Sequence, residues 1–294
     1  MADPIKIGIL RFEHYHANFW TKALTSSDDA VYVGFWEPDD SLAAAAIDTH
    51  AITRYDNIDA LIGACDAIAV CSATAGHLPL IERAARAGKA ILCEKPIAHT
   101  NADCARIAEI IDETGVTFMQ SFPKRFDPVN HEIRAVLDGN EIGDLTMVRV
   151  RHGHNHGTLT PGFGEGWFAD PAQSGGGTLI DEGVHAADYL RWTFGEPSSV
   201  CATISSDILG LDVEDSAIAM FKWDNGLIGE ITTSWSYAAA DTSVEIYGTK
   251  GTILLSGVDI ASRPNREKDF LKIYRLKEGG GEWTFSQCVP AFKT

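Results

Sequence analysis

The chain has 294 residues, 45% of them hydrophobic, and a formal net charge of −17. That length can bury one large core or two smaller ones, with two domains the better expectation. An acidic surface repels nucleic acid and anionic membranes, so neither is an expected partner, and no apolar run approaches membrane-spanning length. The N-terminus lacks a basic leader and enters a strand-like run at once, which reads as a cytoplasmic protein. Six cysteines form no C-x-x-C pair, and those in apolar runs read as reduced, buried fillers.

The first half alternates strands with helices. Strands are expected at Ile5–Leu10, Ala30–Trp36, Ile52–Arg54, Asp66–Cys71, Ala90–Cys93 and Val116–Gln120. Helices are expected up to Thr25, then at Ser41–His50, Asn57–Gly63, His77–Gly88 and Asn101–Thr114. This alternation implies an α/β domain, a doubly wound parallel sheet that binds ligands beyond the C-terminal ends of its strands. An acid ending the second strand is where a dinucleotide fold holds the adenosine ribose, and Glu37 stands there, set to repel a 2′-phosphate. An ordinary loop acid reads equally well from position alone. The first turn departs from the glycine fingerprint of such folds. After Gly8-Ile9-Leu10 come Arg11, Phe12, Glu13, His14, Tyr15 and His16, so Arg11, Glu13 and His16 stand where three glycines would. Glu13 would repel a pyrophosphate, Arg11 or the histidines would compensate, or the loop binds no dinucleotide.

Beyond Phe122 the alternation stops. A helix is expected at Pro128–Leu137, and strands at Leu145–His154, Pro197–Ser205, Asp215–Trp223, Gly226–Trp235, Thr242–Tyr247, Gly251–Ser256 and Phe270–Tyr274. Two glycine turns make hairpins, and one helix at Gly177–Phe194 lies against the sheet. This is an α+β domain with an open, mostly antiparallel sheet. The boundary falls near Ser121–Lys124, giving domains 1–122 and 123–294. His152, His154 and His156 alternate, so a strand puts them on one side, to bind a metal, to face sugar hydroxyls, or simply to be polar strand residues. A line of alternate residues suits a metal poorly, and no metal site is expected.

The stretch Ser174–Leu190, S-G-G-G-T-L-I-D-E-G-V-H-A-A-D-Y-L, carries the most chemistry. Asp181, His185 and Asp188 share one helix side, and an acid one turn from a histidine is a proton-handling pair. The bland alternative has Thr178 capping the helix, Asp181 completing a capping box and His185 packed inside.

Several segments together resemble the Gfo/Idh/MocA oxidoreductases, which include glucose–fructose oxidoreductase and inositol dehydrogenase. Ala84–Ala98, A-A-R-A-G-K-A-I-L-C-E-K-P-I-A, is similar to the family's E-K-P segment. Val70–His77 is similar to its fourth-strand loop, with Ala73 and Thr74 replacing Pro-Asn. Arg125-Phe126-Asp127-Pro128 resembles the R-F-x-P that opens its second domain. Ser174–Asp188 matches its glycine–Asp–His signature at every fixed position, and Tyr247–Ile253 resembles its G-T-x-G hairpin.

The resemblance implies a Rossmann domain, an open-faced α/β domain, and catalysis in a cleft. It implies catalytic roles for Lys95, Asp181 and His185. Expected cofactor contacts are Gly8, Arg11, Phe12, Glu37, Ser72, His77, Glu94 and Lys95; expected substrate contacts are Arg125, His152, His154, His156 and Trp167. The cofactor would be NAD, with NADP an option, and the reaction would be hydride transfer with a secondary alcohol of a sugar, cyclitol or related polyol. The alternatives are a non-catalytic sensor, like the yeast galactose repressor, and a redox-neutral NAD-dependent glycosidase. A homodimer or homotetramer is implied. Members usually continue through a further helix and strand, so the second domain is a candidate for truncation at Thr294.

Overall fold

A computed structural model describes residues 3–257 and 270–286, which form two compact units. Unit one holds residues up to Ser121 together with Ala172–Gly175; unit two holds Phe122–Pro171 and Gly176 onward.

Unit one contains β1 (Ile5–Leu10), α1 (Ala17–Thr25), β2 (Ala30–Trp36), α2 (Asp40–His50), α3 (Ile58–Ala64), β3 (Ala67–Val70), α4 (His77–Arg86), β4 (Ala90–Cys93), α5 (Asn101–Thr114) and β5 (Phe118–Gln120). The strands form an all-parallel sheet in the order β2-β1-β3-β4-β5. Alternate strand residues serve opposite faces. Ile9, Ala69 and Cys71 pack with Ala17 of α1 and Ala43 and Ala46 of α2. Leu10, Ile68 and Val70 pack with Leu61 of α3, Ile81 of α4 and Ile107 of α5. With both faces covered, the strands read as continuous apolar runs. The expected strand at 52–54 is reduced to one bridge, Phe35 to Arg54, because the chain meets β2 there at a single residue pair. Gly8 sits inside β1, where a side chain would meet Cys65 Sγ at 2.8 Å and Leu61 Cδ1 at 2.9 Å, so its small size lets α3 pack on the strand.

Unit two contains α6 (Pro128–Asp138), β6 (Leu145–Arg151), the short α7 (His156–Leu159), α9 (Thr178–Asp181), α10 (Gly183–Phe194), β7 (Ser199–Ser205), β8 (Ser216–Lys222), β9 (Ile228–Ser234), β10 (Thr242–Gly248), β11 (Gly251–Ser256), β12 (Leu271–Lys277) and β13 (Gly280–Phe285). The one-turn α8 (Pro171–Ser174) straddles the two units. The sheet runs β13-β12-β11-β10-β6-β9-β8-β7 and is antiparallel except between β6 and β9. Val129, Ile133 and Val136 of α6 and Ala186, Tyr189 and Leu190 of α10 pack on Val148, Val150, Ile231, Val244 and Ile246. A fully buried side chain such as Leu190 contributes about 1.5–3 kcal/mol. The opposite face carries exposed Met147, Ile218 and Met220 beside the Arg149–Glu230–Glu245 ion-pair cluster.

Three expectations for unit two change. The last described strand, β13, was not foreseen, since its glycines break any apolar alternation. The single helix at 177–194 is two helices, broken at Glu182. Thr178 is not the cap: its Oγ1 pairs with Thr233 Oγ1, while the Glu214 carboxylate accepts the N–H groups of Gly177 and Leu179.

Candidate active site

In unit one the first turn is built from side chains. Arg11 adopts φ +73°, a left-handed conformation that disfavours residues other than glycine. Its N–H donates to Trp36 O at 2.8 Å, and its guanidinium reaches Glu13 Oε1 at 2.5 Å and Glu37 Oε2 at 3.4 Å. Glu37 is buried at 1% exposure. One of its oxygens accepts the Phe12 N–H and the other the Asp39 N–H. The acid expected to face a ribose therefore braces two backbone turns instead, because a buried carboxylate must be hydrogen-bonded. The Phe12 ring packs edge-on against Phe35, 4.9 Å away, in the core. His77 is fully buried, with ring nitrogens 3.2 Å from Ile97 O and from Ser72 O, so it ties two loops together. Burial pushes its pKa down.

Glu94, just past β4, gathers Trp20 Nε1 at 2.6 Å, Ser121 Oγ at 3.1 Å and His16 Nδ1 at 3.1 Å. Burial opposes its ionisation, but the bonds from His16 and Trp20 and the charge of the histidines hold its pKa well below the usual carboxylate range. Lys95 follows, 2% exposed, before a cis peptide bond to Pro96. Between the first turn and the loop after β3 lies a cavity of about 300 Å³ lined by Arg11, Glu13, Trp36, Ser72, Ala73 and Pro79, among others. The buried Ser72 Oγ in its wall has no hydrogen-bond partner among the described residues. An apolar wall, an unsatisfied hydroxyl and a cation fit a nucleotide.

In unit two, β6 ends at Arg151, yet pairing with the neighbouring strand continues, since His152 N–H donates to Thr232 O and His154 N–H to Ser234 O. His152 and His154 therefore do share a side, while His156 opens α7 with its ring tilted against that of His154, centroids 3.9 Å apart. Both Nε2 atoms reach the Glu182 carboxylate at 3.1 Å, one on each oxygen. The sequence reading missed Glu182, because its position between Asp181 and Gly183 has no periodic or motif signal. Trp235, also missed, donates its Nε1–H to Asp181 Oδ2 at 3.0 Å. His185 is buried at 4% exposure, with its ring 5.0 Å from that of His152 and 6.1 Å from that of Phe122. Arg125, an expected substrate contact, forks onto Asp188 at 2.6 and 2.9 Å. Trp167, another, lies in a short 3₁₀ turn, stacked on Phe168 at 3.8 Å.

Among the described residues, two groups place potential metal-ligating atoms close together: His14, His16 and Glu94, and His154, Asp181 and Glu182. In each, a backbone N–H donates to the Nδ1 of the first histidine, from His16 to His14 and from His156 to His154. That bond puts the imidazole proton on Nε2, and for His154 aims it at Glu182. Metal-bound imidazoles show the opposite pattern, donating their second nitrogen to an acceptor. Both groups read as hydrogen-bond clusters.

Burial opposes ionisation of Glu182, but its bonds to His152 and His154 outweigh it and depress its pKa. A depressed carboxylate stabilises the fold fully above its ordinary value near about 4.3, and that contribution is lost as pH falls through the folded-state pKa. Glu182→Gln is expected to cost about 2 kcal/mol near pH 7. Its deficit against wild type should shrink below about pH 4 as Glu182 protonates. Urea unfolding across that range checks this; a deficit independent of pH would assign it to packing alone.

Comparison with known proteins agrees with this architecture. Residues 6–122 match the profile described as "Oxidoreductase family, NAD-binding Rossmann fold", and residues 130–254 the GFO/IDH/MocA C-terminal domain. An uncharacterized oxidoreductase of Bacillus subtilis is 28% identical over 226 residues, which is 71% of this chain and 64% of that relative. The inositol 2-dehydrogenase of Rhizobium meliloti is 30% identical over 266 residues, 85% of this chain and 74% of the relative. The crystal structure of aldose-aldose oxidoreductase from Caulobacter crescentus, complexed with glycerol, shares the fold, with a TM-score of 0.79 at 22% identity over 99% of this chain and 85% of that one. Among the described residues no helix is long and apolar enough to cross a membrane. The two domain profiles in succession, together with the glycine–Asp–His stretch, make this chain a member of the GFO/IDH/MocA oxidoreductase family.

Proposed function

We propose that this protein is an NAD-dependent oxidoreductase acting on a secondary alcohol of a sugar, cyclitol or related polyol. The observation that carries the reading is the buried arrangement in unit two, where Trp235 holds Asp181, Glu182 holds His152 and His154, and the His185 ring packs edge-on against His152. When bound, NAD supplies the hydride acceptor. Arg11 and Ser72, in the wall of the unit-one cavity, would hold its phosphate and ribose. His185 takes the hydroxyl proton, because imidazole nitrogen accepts a proton as general base. Asp181 is fixed by Trp235 and orients His185 or the substrate. Lys95 offers positive charge to a developing alkoxide. His152 and His154, braced by Glu182, present ring edges suited to sugar hydroxyls. The substrates named for the inositol dehydrogenase and the aldose oxidoreductase support a polyol.

Fluorescence titration with NADH and NADPH, followed by NAD⁺ reduction with inositol and a panel of aldoses, tests the reading. Saturable NADH binding and turnover with at least one polyol are expected. Glu37 stands at the end of β2, so NADH is expected to bind more tightly than NADPH, and equal or tighter binding of NADPH would remove Glu37 from that role. Binding without turnover on any polyol would favour a sensor, and a redox-neutral product would favour a glycosidase. Binding of neither dinucleotide would defeat the reading. We place the protein in the cytoplasm, where five of its cysteines stay free; Cys288 lies outside the described residues. We also propose a homodimer or homotetramer paired through the open sheet face with Met147, Ile218 and Met220. A monomer of the full chain in sedimentation at micromolar concentration would contradict this.

A further inference from the structure

In a glycine-rich first turn, backbone N–H groups point at the phosphates of the ligand. Here five of them donate to groups of the protein itself. Arg11 N–H donates to Trp36 O, Phe12 N–H to Glu37 Oε2, His14 N–H to Cys71 O at 3.0 Å, His16 N–H to His14 Nδ1 at 3.2 Å and Ala17 N–H to His14 O. Phosphate recognition is thereby shifted to side chains. Two charged side chains of this turn line the cavity, Arg11 and Glu13.

The Glu13 carboxylate binds the Arg11 guanidinium through Oε1 at 2.5 Å, and through Oε2 it accepts the Ala73 N–H at 3.0 Å. A guanidinium and a backbone N–H converging on one anion are the donors with which proteins hold phosphate oxygens. Both partners in the ion pair are about one-fifth exposed, so the pair borders the cavity and is open to exchange. Arg11 itself cannot swing away easily. Its left-handed backbone is held by the Trp36 carbonyl, and buried Glu37 lies on the other side of its guanidinium.

We propose that Glu13 is a built-in anion on the phosphate-recognising groups of this domain, and that the pyrophosphate of a dinucleotide binds by replacing its carboxylate on Arg11 and the Ala73 N–H. The inference rests on the reading of unit one as a dinucleotide domain. Glu13 then sets cofactor affinity twice over, as a competitor for Arg11 and as a like charge beside the incoming phosphates.

The test is a titration of wild type, Glu13→Gln and Glu13→Ala with NADH, ADP and adenosine, with circular dichroism confirming that each variant folds. Both variants should bind NADH and ADP roughly tenfold more tightly at low salt, as expected for relief of one partly exposed like-charge contact and one ion pair. Adenosine, which has no phosphate, should bind all three proteins equally. Adding Arg11→Gln to Glu13→Gln should abolish the gain, since the cation being freed is gone. Wild-type NADH binding with no gain in either variant would overturn the inference and leave the dinucleotide reading standing. A gain that extends equally to adenosine would also overturn it, by assigning the effect to loop packing. Saturable binding by none of the proteins would defeat both.

Discussion

Replacing His185 by alanine is expected to lower kcat by about 10²–10⁴-fold, the usual contribution of a positioned general base, while NADH affinity stays within about twofold. The base acts in the chemical step, so its loss should lower kcat and kcat/KM together without touching cofactor binding. His185 sits on α10, with its backbone N–H on Glu182 O and its ring packed edge-on against His152 and Phe122. Removing the ring also leaves a small void, so thermal unfolding must accompany the kinetics. His185→Gln fills most of that space and should be as inactive as alanine. An alanine variant that turns over within about threefold of wild type would remove His185 from the chemistry.

Gly177→Ala should have the largest effect on stability. A methyl group there would lie 1.9 Å from Glu214 O, 2.7 Å from Glu214 C and 2.8 Å from Glu214 N, all backbone atoms. The backbone angles at Gly177 are not in the left-handed region, so the need for glycine is steric contact rather than conformation. Glu214 cannot retreat without loss. Its carbonyl accepts the Thr178 N–H, its carboxylate caps Gly177 and Leu179, and the next residue, buried Asp215, accepts the N–H groups of Ile208 and Leu209. The expected cost is about 3 kcal/mol or more, which lowers Tm by on the order of 10 °C. Gly63→Ala in α3 is the control. Nothing lies within 4 Å of its added methyl, so it should be neutral or slightly stabilising. A Gly177→Ala protein melting within about one degree of wild type would contradict the steric argument.

Much of this architecture is legible from local pattern. A buried parallel strand such as Ala67–Val70 is a continuous apolar run, and helices such as α5 announce both ends, with Thr100 capping and Gly115 closing at φ +65°. The glycine–Asp–His stretch was legible as a motif, and its family followed from it. What local pattern could not carry was direction. Glu37 lies at the end of β2 as expected, yet its carboxylate turns inward to Phe12 and Asp39. Gly8 precedes the first turn as expected, yet serves the packing of α3.

By itself, then, the sequence determined most of the strand and helix segments, their order, the two fold classes in succession and the family. Periodicity and motif spacing report the face on which a residue lies, and those are properties of neighbours in the chain. Only the tertiary structure decided which groups are paired. Glu13 meets the Ala73 N–H 60 residues away, Glu182 meets His154 at a separation of 28, and Glu214 fills the space that Gly177 leaves, 37 residues earlier. Such pairings depend on how sheets and loops converge in space, and a buried charge takes whichever donor the fold brings within 3 Å or so, which no local spacing encodes.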